Sequence, residues 1–416
     1  MYLSSKKFIE NLIWLITAFM LSSFLVFDKY EWGKYSFFLC AVLIFSLNII
    51  KRGFNLHIRI TPFIVLFGIF VAYTTLTAFW SLSYSDTLTM SRTLLRILVC
   101  FSLVYWSYMD ETDPEKLIYC MVFSSYFVGL YTIFFFGFSS IIHASDDILL
   151  EESFANINAI AVFIAIGVVC ELYLVLYRGP RLYSLLSLMS IVIIAASQSR
   201  KAIVVTVLGV MALILFRFST SKNLAYRILE IVFLLLLTLT AVYFIAKLPI
   251  FSSVNKRLDM MINSFLGQGK MDHSSLIRND MRELGYEYWL QRPIRGFGFG
   301  ATHIIAYRNL NVDTYLHNNY IELLASGGIL GLISYYSMHI YLIAHYFKLR
   351  KTDERWFVIG IILIGLILIS DYGKVSYYSK TGLFELMLLF IILENIANGR
   401  KEAEDAAQGE KLPVRS

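Results

Sequence analysis

The stretch ITPFIVLFGIFVAYTTLTAFW, residues 60–80, contains no charged side chain. A helix needs about 20 apolar residues to cross the hydrocarbon of a bilayer, and this run has that length. Comparable runs lie near 11–27, 36–50, 92–108, 117–138, 157–177, 182–197, 202–217, 228–247, 327–347, 356–372 and 382–398. Together they predict an all-α polytopic membrane protein with about twelve spans. Helices satisfy every backbone group within lipid, and the two-residue alternation of a membrane barrel is absent. Composition agrees: 58% of the 416 residues are hydrophobic and only 16% are charged. A soluble domain is nearer half apolar and a quarter charged.

The formal charge of +6 does not mark a nucleic-acid binder, because Lys and Arg fall in short clusters between apolar runs and form no basic domain. They act as topology signals. With the N-terminus inside, the short inner loops carry thirteen, from Lys51 to Arg355, and the short outer loops seven, from Lys29 to Lys380. That bias predicts a multi-pass protein of the cytoplasmic (inner) membrane with both termini cytoplasmic. Cys40, Cys100, Cys120 and Cys170 all sit in apolar runs, so no disulfide framework is available to an external loop. The start of the chain has no small-residue cleavage site and is read as a retained first helix. Residues 1–398 are thus expected to form one transmembrane domain, followed by a polar cytoplasmic tail over 399–416. Arg96 is the charged residue that stands out within a span, where snorkelling accounts for it.

One connection is long. Residues 248–315, between the ninth and tenth spans, face outward and are mostly polar, and loops of that length usually have a function. Within it SSLIRNDMRELGYEYWLQRP (274–293) places Ile277, Met281, Leu284 and Tyr288 at helical spacing. This predicts an amphipathic helix along the outer interface, with Trp289 as an anchor. Arg278 and Arg282, four apart, share one edge of it. Pro293 and the glycines of RPIRGFGFG (292–300) end it.

Four outward elements carry groups suited to chemistry. SQSRKA (197–202) brings Arg200 and Lys201 to the mouth of two spans, where they either snorkel or meet an anion. The amphipathic helix offers Arg278 and Arg282, to lipid headgroups or to a substrate. HASDDILLEESFANIN (143–158) carries solvated carboxylates, with Asn156 and Asn158 where a span begins. His317-Asn318 stands just before the tenth span, whose outward N-terminus favours an anion. Arginine forks suit a diphosphate, and a neutral imidazole can take a proton from a sugar hydroxyl. Asp313 and Glu322 are the nearest alternative bases.

These motifs resemble the O-antigen ligase and O-antigen polymerase superfamily of bacterial membrane glycosyltransferases. HNNYIELLASGGILG (317–331) fits its His-Asn, nine residues, Gly-x-x-Gly signature without a gap, and SQSRKA resembles its Ser-Arg outer turn. Arg278 fits the arginine that precedes the Pro-x-x-Gly-x-Gly stretch. FANINAIA (154–161) looks like its Asn-x-Asn motif, with Ile157 in place of the usual proline, and Lys201 stands where members often have glycine.

The resemblance implies a metal-free, cofactor-free transferase whose donor is an undecaprenyl-diphosphate-linked glycan. By carry-over, Arg200 and Arg278 hold the diphosphate and His317 is the base; Arg282 and Lys201 are added from geometry and position. Asn318, Asn156 and Asn158 complete the candidate substrate-binding set. The expected partners are the lipid-linked donor, a glycan acceptor, membrane lipids, and a chain-length regulator and flippase, with no nucleic acid. SQSRKA favours a polymerase of repeat units. The alternatives are a ligase acting on lipid A core or protein and, outside enzymes, a flippase or permease.

Overall fold

The computed structural model describes residues 2–27, 30–55, 58–143, 157–197, 199–218, 226, 228–229, 232, 236 and 273–409. Among these the chain is helical without strands. The helices are α1 (Tyr2–Val26), α2 (Glu31–Lys51), α3 (Pro62–Leu76), α4 (Tyr84–Tyr108), α5 (Glu115–His143), α6 (Ile157–Arg178), α7 (Leu186–Ala196), α8 (Arg200–Phe218), α9 (His273–Gln291), α10 (Thr302–Leu310), α11 (Asn319–Leu349), α12 (Glu354–Asp371) and α13 (Lys380–Gly409). Each expected span coincides with one of these, except that at 228–247, which lies mostly outside the described residues. Seven helices are individually long and apolar enough to cross a membrane: α1, α3, α4, α5, α6, α11 and α13. The molecule is an all-α polytopic membrane protein. Residues 248–272 of the expected outer loop and 410–416 of the expected tail also lie outside the described residues.

Neighbouring helices pack in pairs, α1 on α2, α5 on α6 and α11 on α12, and across the bundle α3 on α11 and α6 on α8. Aromatic side chains interlock at the centre. Phe24 meets Phe37 and Phe384 edge-on at 5.4 and 5.7 Å, and Phe70 meets Phe299 and Tyr335 at 5.5 and 5.3 Å. In lipid, such close contact replaces the hydrophobic effect as the force between helices. Arg96 is exposed on α4, whereas Glu171 and Glu385 are charged residues buried inside helices. The reading of Arg96 as the notable charge within a span therefore overlooked two acids whose apolar neighbours in the chain disguise them.

Ion pairs gather at one end of the bundle. Arg178 forks onto Glu115 with bonds of 2.9, 2.9 and 2.6 Å, and Arg355 reaches the same carboxylate at 3.3 Å. Lys51 pairs with Glu10 and Lys116 with Glu111, both at 2.9 Å. These residues all lie on the side that the charge bias places inside. The candidate residues lie at the opposite end.

α9 forms as its pattern predicts, but its stripe is spent on protein. Met281 is fully buried with Leu316 and Ala325, and Leu284 packs with Phe297 and Ile305. Trp289 donates its indole N–H to the Pro293 carbonyl at 3.1 Å. The helix is therefore braced on α11 through this stripe, while Leu276, Tyr286 and Leu290 remain exposed.

Candidate functional site

α11 and the segment after α9 make the frame. α11 breaks at Gly328, whose φ of 63° and ψ of −162° are outside any helix. The break frees carbonyls and amides, and RPIRGFGFG takes them: Phe297 N–H donates to Ala325 O (2.9 Å), Gly298 N–H to Ser326 O (2.7 Å) and Ile329 N–H to Pro293 O (2.9 Å). Tyr73 of α3 donates its hydroxyl to Gly327 O at 2.6 Å. Such irregular backbone survives at membrane depth only when its polar groups are paired inside the protein. The two glycine motifs of the sequence are thus halves of one joint.

His317 precedes α11 in the left-handed region, φ 56°, and its ring lies 4.3 Å from that of Tyr315. The turn is clamped from beneath. Glu322, buried one turn into α11, accepts the Leu316 N–H at 2.8 Å and the Thr302 hydroxyl of α10. Glu322 is thus a support for the His317 turn and faces no solvent, which removes it as an alternative base. Asn318 caps α11, its Oδ1 accepting from Tyr320 and Ile321 N–H at 3.0 and 3.1 Å. That oxygen is committed to the helix, which leaves the amide nitrogen as the group that could meet a substrate.

Burial first, then the charges of Arg278 and of Lys201, lower the His317 pKa to about 4. These three residues, expected from separate motifs, therefore share one electrostatic neighbourhood. Lys201, second residue of α8, donates Nζ to Gly373 O at 2.6 Å. Arg282 bonds the Tyr372 hydroxyl, lies 5.2 Å over that ring, and donates to Asn279 Oδ1 at 2.9 Å. The described partners of Lys201 and Arg282 are thus neutral acceptors, unlike the carboxylates at the other end of the bundle. Arg282 can thus still meet an anion, whereas burial first, then the charges of Lys374 and Arg278, lower the Lys201 pKa to about 7, so an anion beside it would favour its charged form. Arg200 begins α8 beside Lys201. Asn158 lies exposed in the first turn of α6, which packs along α8, while Asn156 falls outside the described residues.

The sequence reading passed over the turn DYGKVSYY (371–378) and Asn319. Asn319 is fully buried; its Oδ1 accepts from Ser376 and Tyr377 N–H at 2.9 and 3.1 Å, and its Nδ2 donates to Asp371 at 3.3 Å. Asp371 also accepts from Tyr336 at 2.8 Å. One side chain thus welds the turn that carries Tyr372, Gly373 and Lys374 to the helix that follows His317. The available signal was Lys374, a lysine in a polar turn between two spans.

Residues 182–336 match the family model described as O-antigen ligase. The matched stretch holds Arg200, Lys201, Arg278, Arg282, His317 and both halves of the glycine joint; Asn156, Asn158 and Lys374 lie outside it. The match supports the resemblance to the O-antigen ligase/polymerase superfamily. No curated protein matches the chain.

Proposed function

We propose, with that superfamily as the premise, that this protein joins undecaprenyl-diphosphate-linked oligosaccharide repeat units into a surface polysaccharide on the outer face of the cytoplasmic membrane. The observation that carries this reading is the half-buried imidazole of His317, beside Tyr315 at the start of α11, whose pKa is lowered by burial and by the charges of Arg278 and Lys201. The acceptor hydroxyl attacks the anomeric carbon of the donor, its proton passes to His317, and the bond to the diphosphate breaks with the electron pair on oxygen. Charge grows on the leaving diphosphate as that bond lengthens, so cations fixed beside it favour the transition state over the ground state. Arg200 and Arg278 hold the diphosphate, with Lys201 and Arg282 at its edge. The charge bias of the loops supports an outward site and cytoplasmic termini.

The deciding experiment gives the purified protein only an undecaprenyl-diphosphate repeat unit. A ladder of longer lipid-linked glycans, lost in His317→Ala, is expected. The family description favours a second reading, a ligase. If no ladder forms, yet the unit is transferred whole once lipid A core is added, the ligase reading replaces the first.

A further inference from the structure

At the end of the bundle away from His317 lies a cavity of about 460 Å³, between the start of α3, the last turns of α11 and the middle of α13. α11 connects the two ends: Lys348 is separated from His317 by almost the whole helix, about 45 Å at 1.5 Å per residue. The cavity belongs to neither the proposed reaction nor the glycine joint.

Three cations and one carboxylate line it: Arg59, Lys348, Arg400 and Glu394. Arg59 pairs with Glu394, which also accepts from the Tyr105 hydroxyl at 2.8 Å. Arg400 donates to the Thr352 hydroxyl at 2.8 Å, a neutral acceptor. The balance is positive, and Pro62, at the first turn of α3, brings the positive end of a helix dipole to the same wall. Below the cations the lining is apolar, Phe390 and Leu393. At its edge the apolar Ile60 is 78% exposed on the outer surface of the bundle.

We propose that this cavity binds an anionic phospholipid, with its phosphate between Lys348 and Arg400 and its acyl chains against the apolar wall. Basic pockets between helices at a cytoplasmic interface suit phosphate headgroups. A free phosphate would use the cations but gain nothing from Phe390, Leu393 and the exposed surface next to them. That apolar continuation singles out a lipid.

The test counts lipids retained by the purified full-length protein in native mass spectrometry, after equilibration with mixed micelles holding equal phosphatidylglycerol and phosphatidylcholine. Wild type should retain phosphatidylglycerol preferentially, and Lys348→Gln with Arg400→Gln should lower that preference roughly tenfold. Ala397→Phe, which fills the cavity and replaces none of its charged residues, should lower it as well, so a folding defect in the double variant cannot decide the outcome. Equal retention of the two lipids by wild type, or an unchanged preference in Ala397→Phe, overturns the proposal. Loss of bound phosphatidylglycerol on adding millimolar inorganic phosphate would assign the site to free phosphate and overturn the lipid.

Discussion

The amide of Gly298 donates a 2.7 Å hydrogen bond to the carbonyl of Ser326, joining the segment after α9 to the helix that follows His317. Neither partner uses its side chain. At Gly298 a Cβ would come within 2.1 Å of the Ser81 hydroxyl, and at Gly328 within 2.3 Å of the Ile294 carbonyl carbon. Gly328 is required because backbone meets backbone and Gly298 because Ser81 fills the space a Cβ would need, and the joint sets where α9, and hence Arg278, stands relative to His317.

Gly328→Ala should therefore disrupt the joint. Its φ and ψ belong to a region open almost only to glycine, costing about 1–3 kcal/mol before the clash with Ile294 is counted. A clear drop in melting temperature in detergent is expected, together with lost activity. Gly365→Ala, where a Cβ meets nothing within 4 Å, is the control and should be neutral. Equal melting of the two variants would show that the joint bears no load.

Arg278→Lys keeps the charge and removes the fork. Activity should fall about 10- to 100-fold, the worth of one charge-assisted hydrogen bond, with expression unchanged. Arg200→Lys should behave alike, and Arg282→Lys more mildly. Membranes carrying Arg278→Lys that form product at the normal rate would rule out a bidentate contact there.

The acid limb of kcat/KM should lie near pH 4, below the pH 6 that arginines alone would suggest, because burial adds to their effect on His317. The base is neutral above that value and is lost as pH falls through it. Arg278→Ala removes one depressing charge and should move the limb upward. The same shift makes the fold resist protonation, so His317 adds stability that is full above its unfolded value of about 6.5 and declines as pH falls toward 4. An acid limb retained in His317→Ala would reassign the base.

Asn319→Ala leaves the Ser376 and Tyr377 amides without their acceptor and Asp371 with one donor fewer, Tyr336 remaining. Loss of about 3 kcal/mol is expected, read as reduced thermal stability. The distance between spin labels at 201 and 374 should also broaden. A narrow, unchanged distribution would mean that the turn is held by other contacts.

Orientation can be checked with an impermeant thiol reagent in intact cells, on a background in which the native cysteines are replaced. His303→Cys should react, and Lys348→Cys and Lys222→Cys should not. Labelling at 348 would invert the bundle and move the site to the cytoplasm.

Hydropathy and charge order are properties of neighbouring residues, so the sequence by itself determined the helical class, most span positions, and the identity of Arg200, Arg278 and His317 as candidates. The amphipathic stripe of Ile277, Met281 and Leu284 was legible for the same reason, but not its target. What covers such a stripe, lipid or protein, depends on residues far away in the chain, here Leu316 and Ala325. Tertiary structure alone decided that Lys201 reaches Gly373 across more than 170 residues, that Asn319 binds the turn at 371–378, and that the Asn318 side-chain oxygen caps α11. It also decided the direction in which the His317 pKa moves. A pKa is set by the water excluded from a group and the charges brought beside it, and both appear only when α8, α9 and α11 have closed around it.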